Sequence, residues 1–191
     1  MDVGVATKEE ALEALSRDGI YVIRNYWDQD KCNIALKELL SAPLSSFSRG
    51  QGGDLRFQNS NETLQTANSF LTDDFIQTVA NDYSSCNFAQ RVVAGIVQYK
   101  DNRAIDSGGG WHVDCEREHQ FKSLIYLNDV DTNTGPFIFA KKSKDIVNNL
   151  PKFSNLRIEA KEIEKHIDCD NIIEVVGSAG TCILVDTTYP H

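Results

Sequence analysis

The stretch GGGWHVDCE, residues 108–116, decides how this chain is read. In an extended strand, side chains two apart point to the same side, so His112 and Asp114 can reach one ion while Val113 faces away. A second histidine, His191, closes the sequence after the apolar run from Thr181 to Asp186. Two imidazoles and one carboxylate form the facial set that holds non-haem iron and leaves the opposite coordination positions open. His112, Asp114 and His191 are therefore the candidate metal ligands and the candidate catalytic centre. Ser107 and the glycines after it let the backbone turn sharply into the motif, and Trp111 suits the apolar wall of a pocket.

Working outward, the texture from about residue 91 is that of short strands. Residues 92–99 are apolar on both faces. Further strands are predicted at 121–128, 136–140, 172–176 and 181–186, separated by Gly, Asn and Asp turn residues. Residues 145–165 stay open between helix and loop. Earlier in the chain, Thr7 and Glu10 have capping-box form, Leu12 and Leu15 give a short apolar stripe, and Gly19 is a stop. A strand at 20–23 follows. Cys32, Ala35, Leu36, Leu39 and Leu40 fall at helical spacing and end before Pro43. Residues 45–62, rich in Ser, Gly, Asn and Gln, read as a long loop that helps to shape the site entrance. A third helix fits 73–83, burying Phe75, Ile76, Val79 and Ala80.

Helices first and strands afterwards predict a mainly β or α+β fold. The architecture that best hosts a site between its sheets is a double-stranded β-helix, a cupin-like jelly roll with flanking N-terminal helices. The expectation is one domain over 1–191, with a helical part to about residue 90 and the jelly-roll core from about 91.

Composition narrows the function classes. A net charge of −9 argues against nucleic-acid binding through phosphate neutralisation. No apolar stretch approaches the ~20 residues that span a bilayer, and the amino terminus has no secretory pattern. Five cysteines without CxxC spacing favour free thiols. A cytoplasmic protein is expected. Of the remaining candidates near the motif, Cys115 is read as a small buried thiol pointing away from the ion. His119, in a charged run, is read as solvated, able to replace His191 as a ligand if that residue is displaced. His166 is read as surface.

Several segments taken together resemble the phytanoyl-CoA dioxygenase family. They are residues 98–102 (QYKDN), the GGGWHVD motif, 121–130 (FKSLIYLNDV), 133–136 (NTGP), 180–186 (GTCILVD) and His191, with 17–23 (RDGIYVI) resembling the opening of such chains. The resemblance implies a jelly roll holding one Fe(II), with 2-oxoglutarate as co-substrate, ascorbate as a supporting reductant, and hydroxylation of a small molecule by O2. It carries the iron-ligand roles onto His112, Asp114 and His191, and a polar co-substrate-lining role onto Gln98. By strand alternation Lys122, Leu124 and Tyr126 share one face, so Tyr126 and Lys122 are candidates to hydrogen-bond or pair with 2-oxoglutarate. Asp114 stands where halogenating relatives have a small residue, which favours hydroxylation.

One departure from the family pattern stands out. Relatives place an arginine beyond the distal histidine, where its planar fork pairs with the far carboxylate of 2-oxoglutarate. The expectation is that the natural chain continues past His191; otherwise Lys122 or Arg103 must supply the cation. A catalytically silent jelly roll that binds metal or ligand is the competing reading, and a cupin-type metal isomerase or hydrolase is a third. The identity of the substrate and the oligomeric state are left open by the sequence.

Overall fold

The computed structural model describes residues 6–49, 54–84, 92–96, 110–115, 119–153 and 156–191. The first helix, α1 (Lys8–Asp18), starts where predicted. Thr7 Oγ1 accepts from the Glu10 N–H, and the Glu10 carboxylate accepts from the Thr7 N–H. It stops at Gly19, whose φ of +80° is open to glycine at little cost. A Cβ at that position would sit 2.8 Å from the Tyr189 ring, so glycine also permits the close approach of the chain's end. There follow β1 (Ile20–Ile23), α2 (Gln29–Ser41), β2 (Ser48–Arg49), β3 (Leu55–Phe57), α3 (Gln65–Leu71), α4 (Asp74–Ser84) and β4 (Ala94–Ile96). The second half holds β5 (Phe121–Ile125), β6 (Phe137–Ala140), α5 (Lys144–Val147), β7 (Lys152–Phe153), β8 (Arg157–Ile158), α6 (Ala160–His166), β9 (Ile172–Val175) and β10 (Cys182–Asp186).

The first sheet is antiparallel with order β1-β10-β5, pairing Ile20 with Val185 and Val185 with Lys122. Every residue of the central strand β10 is buried. Because both faces are covered, its apolar run is continuous rather than alternating. Cys182 and Leu184 face α1 and α4 in a cluster with Leu15 and Val79. Ile183 and Val185 face the opposite way, into a cluster with Phe139 and Val175 of the second layer. Burying a side chain such as Leu184 contributes about 1.5–3 kcal/mol.

The second layer is a longer backbone ladder. β9 pairs with β6, and the Ala140 N–H donates to the Pro190 carbonyl. His191 and His112 exchange both backbone hydrogen bonds at 3.0 Å. On its other side the motif strand takes bonds from Val113 to Leu156 and from Ile158 to Trp111, and β8 then pairs with β7. The chain thus leaves the first sheet at Asp186 and enters the second as the row that carries His191. A third sheet, β2-β3-β4, packs over α2 and α3 through Leu39, Phe57 and Ala67.

Four expectations change here. Residues 45–62 are not one loop, because β2 and β3 lie within them and β3 pairs with β4. α3 was not foreseen. The open stretch at 145–165 contains most of α5, two short strands and nearly all of α6, and its β8 is the neighbour of the metal motif. Trp111 packs with Val113 against Ile158 and Ile163, on the side away from the histidines, rather than forming a wall beside them. The continuation of the β4 strand through 97–99, and the Ser107 to Gly109 approach, lie outside the described residues. No helix among the described residues is long and apolar enough to cross a membrane.

Candidate metal centre

The motif strand presents its two faces as alternation requires. Val113 is 2% exposed and buried in the cluster under α5 and α6. His112 and Asp114 turn the other way and meet His191 across the ladder, their ligand atoms all within 4.8 Å of one another. Nε2 of His112 lies 3.9 Å from Oδ1 of Asp114, and Nε2 of His191 lies 3.4 Å from Oδ2. An ion with bonds near 2.1 Å spaces neighbouring ligand atoms about 3 Å apart, so a small inward movement of the side chains closes the set. The two imidazole rings are 4.3 Å apart between centroids, and Phe137 lies 5.6 Å from His191 on the inter-sheet side.

Backbone carbonyls fix both rings. Nδ1 of His112 is 3.1 Å from the Gly110 carbonyl, and Nδ1 of His191 is 2.9 Å from that of Tyr189. Each carbonyl calls for the proton on Nδ1, which leaves the Nε2 lone pair for coordination. This donor chemistry fits a divalent transition metal. Burial, aided by the neighbouring His191, lowers the His112 pKa from its ordinary value and favours the neutral, coordinating form. For Asp114, desolvation is the largest influence and would raise the carboxyl. The nearby His191 ring and the hydrogen-bonded Lys122 ammonium outweigh it and hold Asp114 well below the usual carboxylate range.

Lys122, on β5, brings its ammonium 2.5 Å from Oδ2 of Asp114. The sequence placed Lys122 near a co-substrate; in the fold it stands against a candidate ligand. Leu124 and Tyr126 continue its strand face into the inter-sheet cluster. Tyr126 sits at the far end of β5 from Lys122, and its hydroxyl is engaged by backbone. It donates to the Val175 carbonyl at 2.9 Å and accepts from the Phe137 N–H at 3.0 Å. Gln98 and Arg103 lie outside the described residues.

His119 corrects the solvated reading. Its Nδ1 is 3.0 Å from the Asp186 carboxylate, and its ring meets Tyr83 edge-on at 4.7 Å. It does not join the three converging residues. His166 lies at the surface facing Glu162. Cys115 shares the parity of Val113 but is only partly buried, and it lines a small cavity behind the motif with Lys144 and Thr188. Asp186 is the residue that sequence reasoning passed over. A carboxylate followed by two threonines at the end of an apolar strand is a turn signal that could have drawn notice.

No family model matches the sequence, and no curated protein matches it. Solved structures do. The epimerase SnoN, in complex with Fe3+, alpha-ketoglutarate and nogalamycin RO, superposes with a TM-score of 0.67 at 16% identity, covering 96% of this chain and 75% of that one. The fold is shared with 2-oxoglutarate-dependent enzymes. HygX from Streptomyces hygroscopicus, with nickel, 2-oxoglutarate and hygromycin B bound, gives 0.58 at 15% identity over 97% of this chain and 80% of that one. A prolyl-4-hydroxylase from Pseudomonas putida gives 0.62 at 11% identity over 96% and 88%.

Proposed function

We propose that this chain is a non-haem Fe(II)- and 2-oxoglutarate-dependent oxygenase that hydroxylates a small molecule, its two strand layers forming a double-stranded β-helix of the phytanoyl-CoA dioxygenase type. The observation that carries the reading is the convergence of His112, Asp114 and His191 at the rim of the inter-sheet space, with both imidazoles locked for Nε2 coordination. The fold it shares with enzymes crystallised with iron or nickel and 2-oxoglutarate supports the same cofactor pair here.

When bound, Fe(II) with 2-oxoglutarate and O2 supplies the oxidation of a C–H bond, and 2-oxoglutarate leaves as succinate and carbon dioxide. The residues of the chain hold and orient. His112 and His191 provide neutral nitrogen ligands, and Asp114 provides the anionic one. Lys122 is the cation for a co-substrate carboxylate, acting as a point charge without the fork of arginine. Phe137 walls the His191 side and, with Leu124 and Val185, keeps the inter-sheet space apolar. Tyr126 gives its proton to the Val175 carbonyl and accepts from the Phe137 N–H, so a bond to 2-oxoglutarate would have to replace one of these. Gln98 completes the polar lining in this reading.

A specific observation favours a second reading. Lys122 is tied to Asp114, and the described inter-sheet residues around it are apolar. A metal-binding jelly roll that cannot hold 2-oxoglutarate would look the same. Succinate formation from 2-oxoglutarate in air, with Fe(II) and ascorbate, separates them. Metal-dependent succinate release supports the oxygenase. A protein that takes up metal yet releases no succinate above the protein-free rate is the silent form.

A further inference from the structure

We propose that Asp186 is a positioning residue for the metal centre, one buried carboxylate that sets the register between the two segments carrying the ligands. The proposal rests on the reading of His112, Asp114 and His191 as metal ligands. Asp186 is completely buried. A buried carboxylate is costly unless its oxygens are fully hydrogen-bonded, and these are. Oδ1 accepts from the Gln120 N–H at 3.0 Å, the Thr188 N–H at 3.0 Å and the Thr188 hydroxyl at 2.7 Å. Oδ2 accepts from the Tyr83 hydroxyl at 2.8 Å and faces Nδ1 of His119 at 3.0 Å and Nζ of Lys144 at 3.9 Å.

These partners lie where strand pairing runs out. β10 pairs with β1 as far as Val185 and with β5 as far as Asp186, and beyond it the chain must cross to the second layer and deliver His191. By holding both polar groups of Thr188, Asp186 forms that crossing. Its bond to Gln120 ties the crossing to the residue just before β5. Thr187 closes the circuit. Its N–H and hydroxyl donate to the Gln120 carbonyl, and its own carbonyl accepts from the Asp114 N–H at 3.0 Å. The Asp114 backbone is therefore one hydrogen bond from the residue that follows Asp186. The same carboxylate engages the His119 ring and keeps a third imidazole out of the ligand set.

The test is a Co(II) titration of the metal-free protein, read as a dissociation constant and as the visible ligand-field spectrum. Asp186→Asn is nearly isosteric, but it turns an NH2 towards the Tyr83 and His119 donors. It is expected to weaken Co(II) binding about 10- to 100-fold and to shift the spectrum, the range for groups that orient metal ligands. Leu39→Ala, a cavity variant in a separate cluster, controls for general loosening, and should lower Tm while leaving Kd and spectrum in place. Equal binding by Asp186→Asn and wild type, or an equal loss in Leu39→Ala, overturns the proposal. If Asp186→Asn does not fold, Tyr83→Phe is the second variant, with an expected loss of about threefold or more. No loss there overturns the proposal too. Wild-type protein that binds no Co(II) overturns the ligand reading itself, and Asp186 then positions nothing.

Discussion

Lys122 and His191 meet on one oxygen of Asp114: the ammonium lies 2.5 Å from Oδ2, and the imidazole Nε2 lies 3.4 Å from the same atom. The carboxylate that would balance a divalent ion is already balanced by a lysine. A metal arriving at this site must share Asp114 with that ammonium or displace it.

Replacing Lys122 with Met should therefore move two affinities in opposite directions. Metal binding to the otherwise empty protein should tighten several-fold, because a competing cation is gone. Binding of 2-oxoglutarate to the metal-loaded protein should weaken by roughly 1.5–3 kcal/mol, the range for a hydrogen bond to a charged group. Calorimetry with Mn(II), then with 2-oxoglutarate, reads both. Parallel changes of the two would remove Lys122 from the co-substrate role.

Asp114→Ala should abolish metal-dependent succinate formation while the protein stays folded. The variant loses its anionic ligand, and the ion pair lost with Lys122 is half-exposed and worth at most about 1 kcal/mol. Thermal unfolding and a succinate assay on the same sample check this. Succinate release at the parent rate would take Asp114 out of the site.

The pH dependence carries a definite sign. The folded-state pKa of His112 is lowered, chiefly by burial. Its contribution to stability is therefore whole above the unfolded value near 6.5 and is lost as pH falls from there through the folded value. Metal-free wild type should lose stability relative to His112→Gln as pH drops below about 6.5. Urea unfolding at several pH values measures the difference, and a gap that does not change with pH would contradict the assignment.

Gly180→Ala should destabilise the fold by more than about 1 kcal/mol. Gly180 has a φ of +85°, and an added Cβ would lie 1.9 Å from the Trp27 carbonyl. Its own carbonyl accepts from both Tyr26 and Trp27. Denaturant midpoints for the two proteins suffice as the check.

What could be read in the sequence was what alternation and local chemistry encode. The shared face of His112 and Asp114, the capping box at Thr7, the stop at Gly19 and the continuous apolar run of β10 each follow from neighbours a few residues apart. What could not be read depends on distant partners. β8 is two residues long and is held between β7 and the motif strand, the latter far from it in sequence. α3 buries only Ala67 and Phe70 and has no side-chain cap to mark its start. Asp186 has one near partner, Thr188, but draws the others from α4, from the segment before β5 and from α5, so the turn after β10 shows only part of its role. His119 misled for the same reason: its charged neighbours suggested solvent, while Asp186 and Tyr83 hold its ring.

The exchange of backbone bonds between His112 and His191 bears on how the protein would hold an ion at the candidate site. Those bonds, and the ladder on either side of them, join backbone N–H and carbonyl groups that are not among the candidate ligand atoms, so an ion held here would be a tenant of the sheet and not its fastener. Stripping it with a chelator should leave the architecture standing, and a different divalent ion can take its place without the chain refolding. Occupancy then follows which metals the surroundings offer and how much of each, a dependence that a site assembled only by its ion would escape.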